Sequence, residues 1–439
     1  MAIADRAIQR ASPCDSSIPS PFIVSLLASP RVQLENAGRF AARNFPASKR
    51  YDPSIPLPAV ARSDEKLRIG YLSSDFQEHP TSRLIAELFE QHDRSRFEIY
   101  AYSYGKDDGG KMRTRIAGAV DRFYDIRMTA DHNTCKHIER DGVDILVDLK
   151  GYTESHRLSL MALRPAPIQI HYLGFPGTTG APFIDYFISD PVASPQGADE
   201  LFSECLIRLP HSYQINDRKR ALPENALPRS AYGLPDGAFI FGEFNNAYKI
   251  TRDVFNVWMR LLVAVEGSVL WLYEKNPEAT ANLRREAEKQ GVNPSRIVPA
   301  LPLPQSEHLQ RYRHADLFLD TSPVCGHTTA SDALWCGVPV VAIAADSFIS
   351  RVAASLLCAV GLSELVTTDL AAYEALALAL ARDPKRLEGL RRHLEEGRMR
   401  FPLFDSLAST RALEAAYAHA AKLHRSGHAP QAFTLPLPS

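Results

Sequence analysis

The sequence predicts an α/β chain with two mostly parallel sheets, on three observations. From Leu67 onward short apolar runs alternate with stretches of helical periodicity. The alternation breaks once, in the polar, proline-containing run HSYQINDRKRALPENALPRS (His211 to Ser230). It then resumes with the same rhythm, as expected for two α/β domains joined by a linker.

In chain order, residues 1–66 are rich in Pro, Ala and Ser and hold one amphipathic candidate helix, VQLENAGRFAARN (Val32 to Asn44). They read as a short helical N-terminal arm or linker without repeats of the helical-hairpin type. The first domain, residues 67–225, has candidate strands LRIGYLS, FEIYAYS, DILVDL, PIQIHYLGF and DYFISD. After the first of them, SSDFQEHPTSRLIAELF (Ser73 to Phe89) is a strand-to-helix loop, with Thr81 or Ser82 as the expected cap and Leu84, Ile85, Leu88 and Phe89 facing the core.

The second domain, residues 226–405, continues with AFIFGEFN, SVLWLY, ADLFLD and VPVVAI. Thr251 should cap a helix whose Val254, Phe255, Trp258, Leu261, Leu262 and Val265 share a face and which Gly267 ends. Between ADLFLD and VPVVAI, the run TSPVCGHTTASDALWCG forms a loop and a short helix that Thr328, Thr329 or Ser331 can cap, with Gly337 at the exit. Residues 406–439 are a final helix, expected to pack back on the domains, and a tail.

Composition narrows the class. With 50 Lys plus Arg against 51 Asp plus Glu, no charge excess points to nucleic acid or a membrane surface. The six cysteines form no CxxC pair and no disulfide framework, which fits a reducing cytoplasm and makes zinc improbable. No signal peptide is visible, and no window supplies the roughly 20 apolar residues of a membrane span.

Two nucleotide fingerprints are missing. GFPGTTG (Gly174 to Gly180) lacks the GxGxxG spacing, and GAFIFGEF (Gly237 to Phe244) has P-loop glycine spacing but Glu-Phe where Lys-Ser/Thr belongs. Nor does the chain contain Asp-x-Asp, a holder of metal-bridged diphosphates. A diphosphate bound without metal needs a helix N-terminus, hydroxyls and a cation.

The second domain offers such a set. His327, Thr328 and Thr329 open a helix, and Lys249 of FNNAYKI follows a strand at the edge where α/β ligands bind. Taken alone, Lys249 also reads as a solvated loop lysine, and the threonines as ordinary caps. In SEHLQRY, His308 and Arg311 are helical neighbours that could flank a base or a phosphate, or simply face solvent. In the first domain His79 precedes a proline at the end of the first strand, where it could be an acid, a base or a hydrogen-bonding group.

Seven motifs in order, DFQEHPTS, DILVDLKGYT, LRPAPIQIHYLGFPGTTG, FNNAYKI, SEHLQRY, GHTTASDALWCGVPVV and SRVAASLL, resemble the catalytic region of the O-GlcNAc transferases, glycosyltransferase family 41. The resemblance covers about residues 67–423. It implies a GT-B fold, two Rossmann-like domains with a cleft between them. It also implies inverting, metal-independent transfer of GlcNAc from UDP-GlcNAc to protein Ser or Thr hydroxyls, with no cofactor beyond the donor.

Carried over residue by residue, the resemblance assigns Lys249 to the departing diphosphate with Asn246 nearby, and His308 and Arg311 to the uridine side. It assigns His327, Thr328 and Thr329 to phosphate, Asp332 to the ribose region, and His79 to the sugar and acceptor, as a candidate general base. Gln305 stands where animal enzymes carry a lysine beside the uridine. Asn246, Glu139 and Cys325 also depart from their pattern, and residues 1–66 hold no recognisable repeats of the kind that grip the acceptor protein. Two other readings are a SPINDLY-type protein O-fucosyltransferase using GDP-fucose, and a catalytically weak nucleotide-binding module needing a repeat-containing partner.

Overall fold

A computed structural model of the chain describes residues 18–45, 65–220 and 227–437. They form two compact units, one built from the described residues up to Asp217 and from Asp405 onward, the other from Arg218–Phe404. Among the described residues fourteen strands follow in chain order. In the first unit these are β1 (Leu67–Ser73), β2 (Phe97–Ser103), β3 (Arg122–Asp125), β4 (Ile145–Asp148), β5 (Ile168–His171), β6 (Tyr186–Ser189) and β7 (Cys205–Arg208). The second unit contributes β8 (Ile240–Glu243), β9 (Val269–Tyr273), β10 (Ile297–Ala300), β11 (Leu317–Leu319), β12 (Val340–Ile343) and β13 (Val366–Thr367). The chain then returns to the first unit for β14 (Phe433–Thr434).

Both sheets are wholly parallel and wind the same way. The first has the order β14-β7-β6-β5-β4-β1-β2-β3, the second β10-β9-β8-β11-β12-β13. Each therefore reverses direction between its first and fourth strand, β1 beside β4 (Ile69 opposite Ile145) and β8 beside β11 (Leu317 opposite Phe241). In doubly wound sheets that reversal opens a crevice at the carboxyl ends of the strands. The central strands are buried on both faces, as helical crossovers require, so they read as unbroken apolar runs.

The N-terminal segment is more than an arm. Helices Pro21–Leu27 and Pro30–Asn44 each begin on a proline, whose missing N–H is harmless in a first turn. Their Val24, Val32, Ala37 and Ala41 are buried, and Phe40 meets Tyr152 edge-on at 5.4 Å. Gly180 of GFPGTTG passes so near that a Cβ on it would lie 2.2 Å from Gly38 N. The expected helix at Val32 begins two residues earlier, at Pro30.

Part of the expected linker is also structural. Tyr213 N donates to Asp190 Oδ2 at 2.9 Å and Tyr172 Oη to Tyr213 O at 2.9 Å, so residues 212–217 are buried in the first unit. Residues 221–226 of that run lie outside the described residues. The closing helix, Ser406–Arg425, is capped by Asp405 and packs on the first unit, where Gln91 Nε2 meets Ser406 Oγ at 3.1 Å. Among the described residues no helix is long and apolar enough to cross a membrane.

Candidate active site

In the second unit the candidate residues gather where β8 and β11 end. Asp320, just past β11, accepts through Oδ1 from Gly326 N (2.6 Å), Thr321 N (2.9 Å) and Asn245 Nδ2 (3.3 Å). Asn245, just past β8, accepts through Oδ1 from Thr329 Oγ1 at 2.5 Å. Lys249 Nζ lies 3.5 Å from the same oxygen and donates to Cys325 O at 2.8 Å. Two loops from strand ends about 75 residues apart are thus laced together around one ammonium.

Helix Thr328–Trp335 begins here, and its capping differs from expectation. His327 occupies the cap position without a side-chain cap bond, Thr328 and Thr329 lie in the first turn, and Thr329 turns its hydroxyl to Asn245. The first-turn amides and the Lys249 cation give this end of the sheet groups whose chemistry suits an anion. Cys325 is an anchor in the loop: its Sγ donates to Ile349 O at 2.9 Å and accepts from Ala353 N at 3.3 Å.

Electrostatics fit the geometry. Burial lowers the Lys249 pKa, opposed by Cys325, Asp320 and Glu243. Burial also pushes Glu243 up to about 8 and Asp320 to about 6, and both carry a buried oxygen with no hydrogen-bond partner among the described residues. His327 is driven down to about 3 by burial and then by Lys249, so it is neutral. Asn246, one residue past Asn245, is exposed and accepts from Lys249 N through its carbonyl at 3.0 Å.

Helix Gln305–Tyr312 follows Pro304, so Gln305 opens it. His308 packs beside Tyr312 (5.1 Å) and Phe244 (5.8 Å). Arg311 does not face solvent: it is 1% exposed, with its guanidinium 5.0 Å from the Phe244 ring and 5.8 Å from Trp271. Its Nη1 donates to Leu301 O, while Nε and Nη2 are buried with no hydrogen-bond partner among the described residues, beside a cavity of about 510 Å³. Asp332 is buried and pairs with Arg220 at 2.5 Å, so this carboxylate is already engaged by a residue of the polar run.

In the first unit His79 stands past β1 and Lys150 past β4, the equivalent strand ends. His79, not Thr81 or Ser82, caps helix Pro80–Gln91: its Nδ1 accepts from Thr81 N at 3.2 Å. Asp75 Oδ2 lies 3.3 Å from the same nitrogen, and Lys150 Nζ donates to both Asp75 oxygens at 2.9 and 3.0 Å. The loop carrying Lys150 is held from beneath by Asp148, whose Oδ2 accepts from Gly151 N (2.7 Å) and pairs with His171 Nδ1 (2.9 Å).

The model of glycosyl transferase family 41 matches residues 53–228 and 224–413. The chain belongs to glycosyltransferase family 41. Its two Rossmann-like sheets are those of a GT-B glycosyltransferase. A probable UDP-N-acetylglucosamine–peptide N-acetylglucosaminyltransferase of Arabidopsis thaliana, SEC, is 38% identical over 92% of this chain and 43% of its own length. The barley (Hordeum vulgare) protein of the same description, SPINDLY, is 36% identical over 82% of this chain and 38% of its own. The chain therefore spans about two fifths of the length of these relatives. A Thermobaculum terrenum O-GlcNAc transferase, solved as a lysine-to-methionine variant, superposes with a TM-score of 0.83 at 33% identity, covering 92% of this chain and 76% of that one.

In this family-41 chain several site-building residues escaped the motif reading. Asn245 and Asp320 were missed because what they do depends on β8 and β11 lying side by side. Asp75 and Lys150 were inside quoted motifs, and their pairing likewise needs β1 beside β4. A charged residue at the carboxyl end of a switch-point strand is the signal that could have found Asp75, Lys150 and Asp320.

Proposed function

We propose that this chain transfers N-acetylglucosamine from UDP-N-acetylglucosamine to serine or threonine hydroxyls of proteins, inverting the anomeric centre, with neither metal nor cofactor beyond the donor. The observation that carries this reading is the Lys249 ammonium, held beside Thr329 and the opening of helix Thr328–Trp335 at a topological switch point. A diphosphate leaving group gains negative charge as the glycosidic bond breaks, and a fixed cation, hydroxyls and first-turn amides offset that charge without reorganising. Thr328, Thr329 and neutral His327 then take phosphate oxygens, His308, Arg311 and Gln305 the uridine side, Asn246 the neighbourhood of the diphosphate and Asp332 the ribose region. The relatives' descriptions support donor and acceptor class. The setting is cytoplasmic, with protein acceptors and no nucleic acid or membrane partner.

The test is transfer from labelled UDP-GlcNAc or GDP-fucose to acceptor peptides, with Lys249→Ala in parallel. Transfer from UDP-GlcNAc should fall about 100-fold or more in kcat for Lys249→Ala, the scale of losing one transition-state charge stabiliser. Its urea midpoint should stay near wild type. Transfer from GDP-fucose alone would establish the SPINDLY-type fucosyl reading, and transfer from neither donor would leave a nucleotide-binding module.

A further inference from the structure

One ring nitrogen of His79 is within reach of two partners that demand opposite tautomers. Thr81 N, 3.2 Å away, can donate only to a lone pair on Nδ1, whereas the Asp75 carboxylate, 3.3 Å away, calls for a proton there. The Thr81 amide lies in the first turn of its helix, where no intrahelical acceptor exists, so Nδ1 is its partner. Asp75 is differently placed. Both its oxygens accept from Lys150 Nζ, and Ser74 Oγ donates to Oδ1 at 3.2 Å. Asp75 and Lys150 are each 4% exposed, so this pair is little screened and its compensation is nearly complete.

We propose that Asp75 and Lys150 are positioning residues that hold His79 with its proton on Nε2, so that it meets substrate as a hydrogen-bond donor and not as the base that takes the hydroxyl proton. An Nε2 that already carries a proton has no lone pair to receive another, and the acceptor's proton leaves to a different group. The proposal rests on the reading of His79 as lying by the sugar and acceptor. Asp75, Lys150 and Arg83 are the charged groups that face the ring; burial lowers its pKa first, the two cations add to that, and Asp75 opposes. The neutral ring is thus the form present at neutral pH.

Imidazole 15N NMR of the labelled protein reads the tautomer directly, with the His79 signals assigned by their loss in His79→Gln. Wild type should show Nε2–H. Lys150→Met frees the Asp75 carboxylate to take an Nδ1 proton: the tautomer should switch and the titration midpoint rise by about one pH unit. The double variant Asp75→Asn with Lys150→Met buries no charge and should return to Nε2–H. Wild type in the Nδ1–H form, or Lys150→Met with tautomer and midpoint both unchanged, overturns the proposal. If Lys150→Met does not fold, Asp75→Asn decides: it should keep Nε2–H and titrate below wild type, and a higher midpoint overturns the proposal. Transfer assays on His79→Gln separate the two layers, since unimpaired transfer would remove His79 from the reaction while leaving the tautomer result intact.

Discussion

Thr329 shows how little of a site one side chain owns. Its hydroxyl, in the first turn of its helix, supplies the short bond to Asn245 Oδ1, which in turn lies within reach of Lys249. Thr329→Val keeps shape and removes that donor. The variant should lose about tenfold in kcat/KM for the sugar donor, equal to about 1.4 kcal/mol, with most of the loss in KM, as steady-state kinetics against UDP-GlcNAc would show. At this scale the sequence was partly legible. Lys249 and the paired threonines stand out because their residue types suit a diphosphate, whereas Asn245 is one of two adjacent asparagines and only strand register shows which one turns inward. Arg311 was read as solvent-facing or ligand-facing on helical spacing; its burial among Phe244, Trp271 and Tyr273 depends on aromatic residues from two other strands.

Elements were read well where the apolar run was long, and poorly where it was short. LRIGYLS and FEIYAYS became β1 and β2 in full, but RFYD (β3), CLIR (β7) and IVPA (β10) went unread, their short apolar runs being cut by charged residues or proline. Both misjudged caps have one cause. A histidine ring occupies the cap position at His79 and His327, where sequence rules favour Ser, Thr, Asp or Asn. The loop that carries Lys150 depends on a close approach: Gly174 has φ 54°, and a Cβ there would lie 2.4 Å from Leu149 O and 2.8 Å from Lys150 Cα. Gly174→Ala should therefore cost about 2 to 3 kcal/mol, from backbone strain and displacement of that loop. A lowered urea midpoint at unchanged m-value would register it.

For the whole molecule, the two-domain reading was legible as one interruption in a rhythm, and the closing helix as one that packs back on the domains; that the return is to the first unit was not. That return is fastened by Glu414, 1% exposed on its side chain, which accepts from Asp93 N (2.7 Å), His92 Nδ1 (3.1 Å) and Arg411 Nη1 (2.7 Å). Tyr71 Oη bonds His92 Nε2 at 2.9 Å, so the imidazole is a neutral relay between β1 and the closing helix, in keeping with its lowered pKa. Burial alone would raise Glu414, but the bonds from His92, the Asp93 amide and Arg411 outweigh it and hold its pKa down. Its stabilisation is then present above the ordinary glutamate pKa and lost as pH falls through the depressed one. His171 is the reverse case. Burial opposes its charge, yet Asp148 and the Phe175 carbonyl raise its pKa, so its contribution is present below the ordinary histidine pKa and lost as pH rises through the raised one. Glu414→Gln should cost about 3 kcal/mol at neutral pH and flatten the acid limb of urea midpoint against pH, leaving the alkaline limb unchanged.

The path from Asp217 into the second unit and back at Asp405 also sets an order of assembly on the ribosome. Seven strands of the first sheet emerge early, yet β14 and the helix that covers β1 emerge only after the whole second unit. The nascent first unit must wait with one edge of its sheet unpaired and its Tyr71–His92 surface uncovered, a long exposure for an aggregation-prone parallel sheet. Truncation before Ser406 would therefore damage the earlier of the two units, not the one made just before the break.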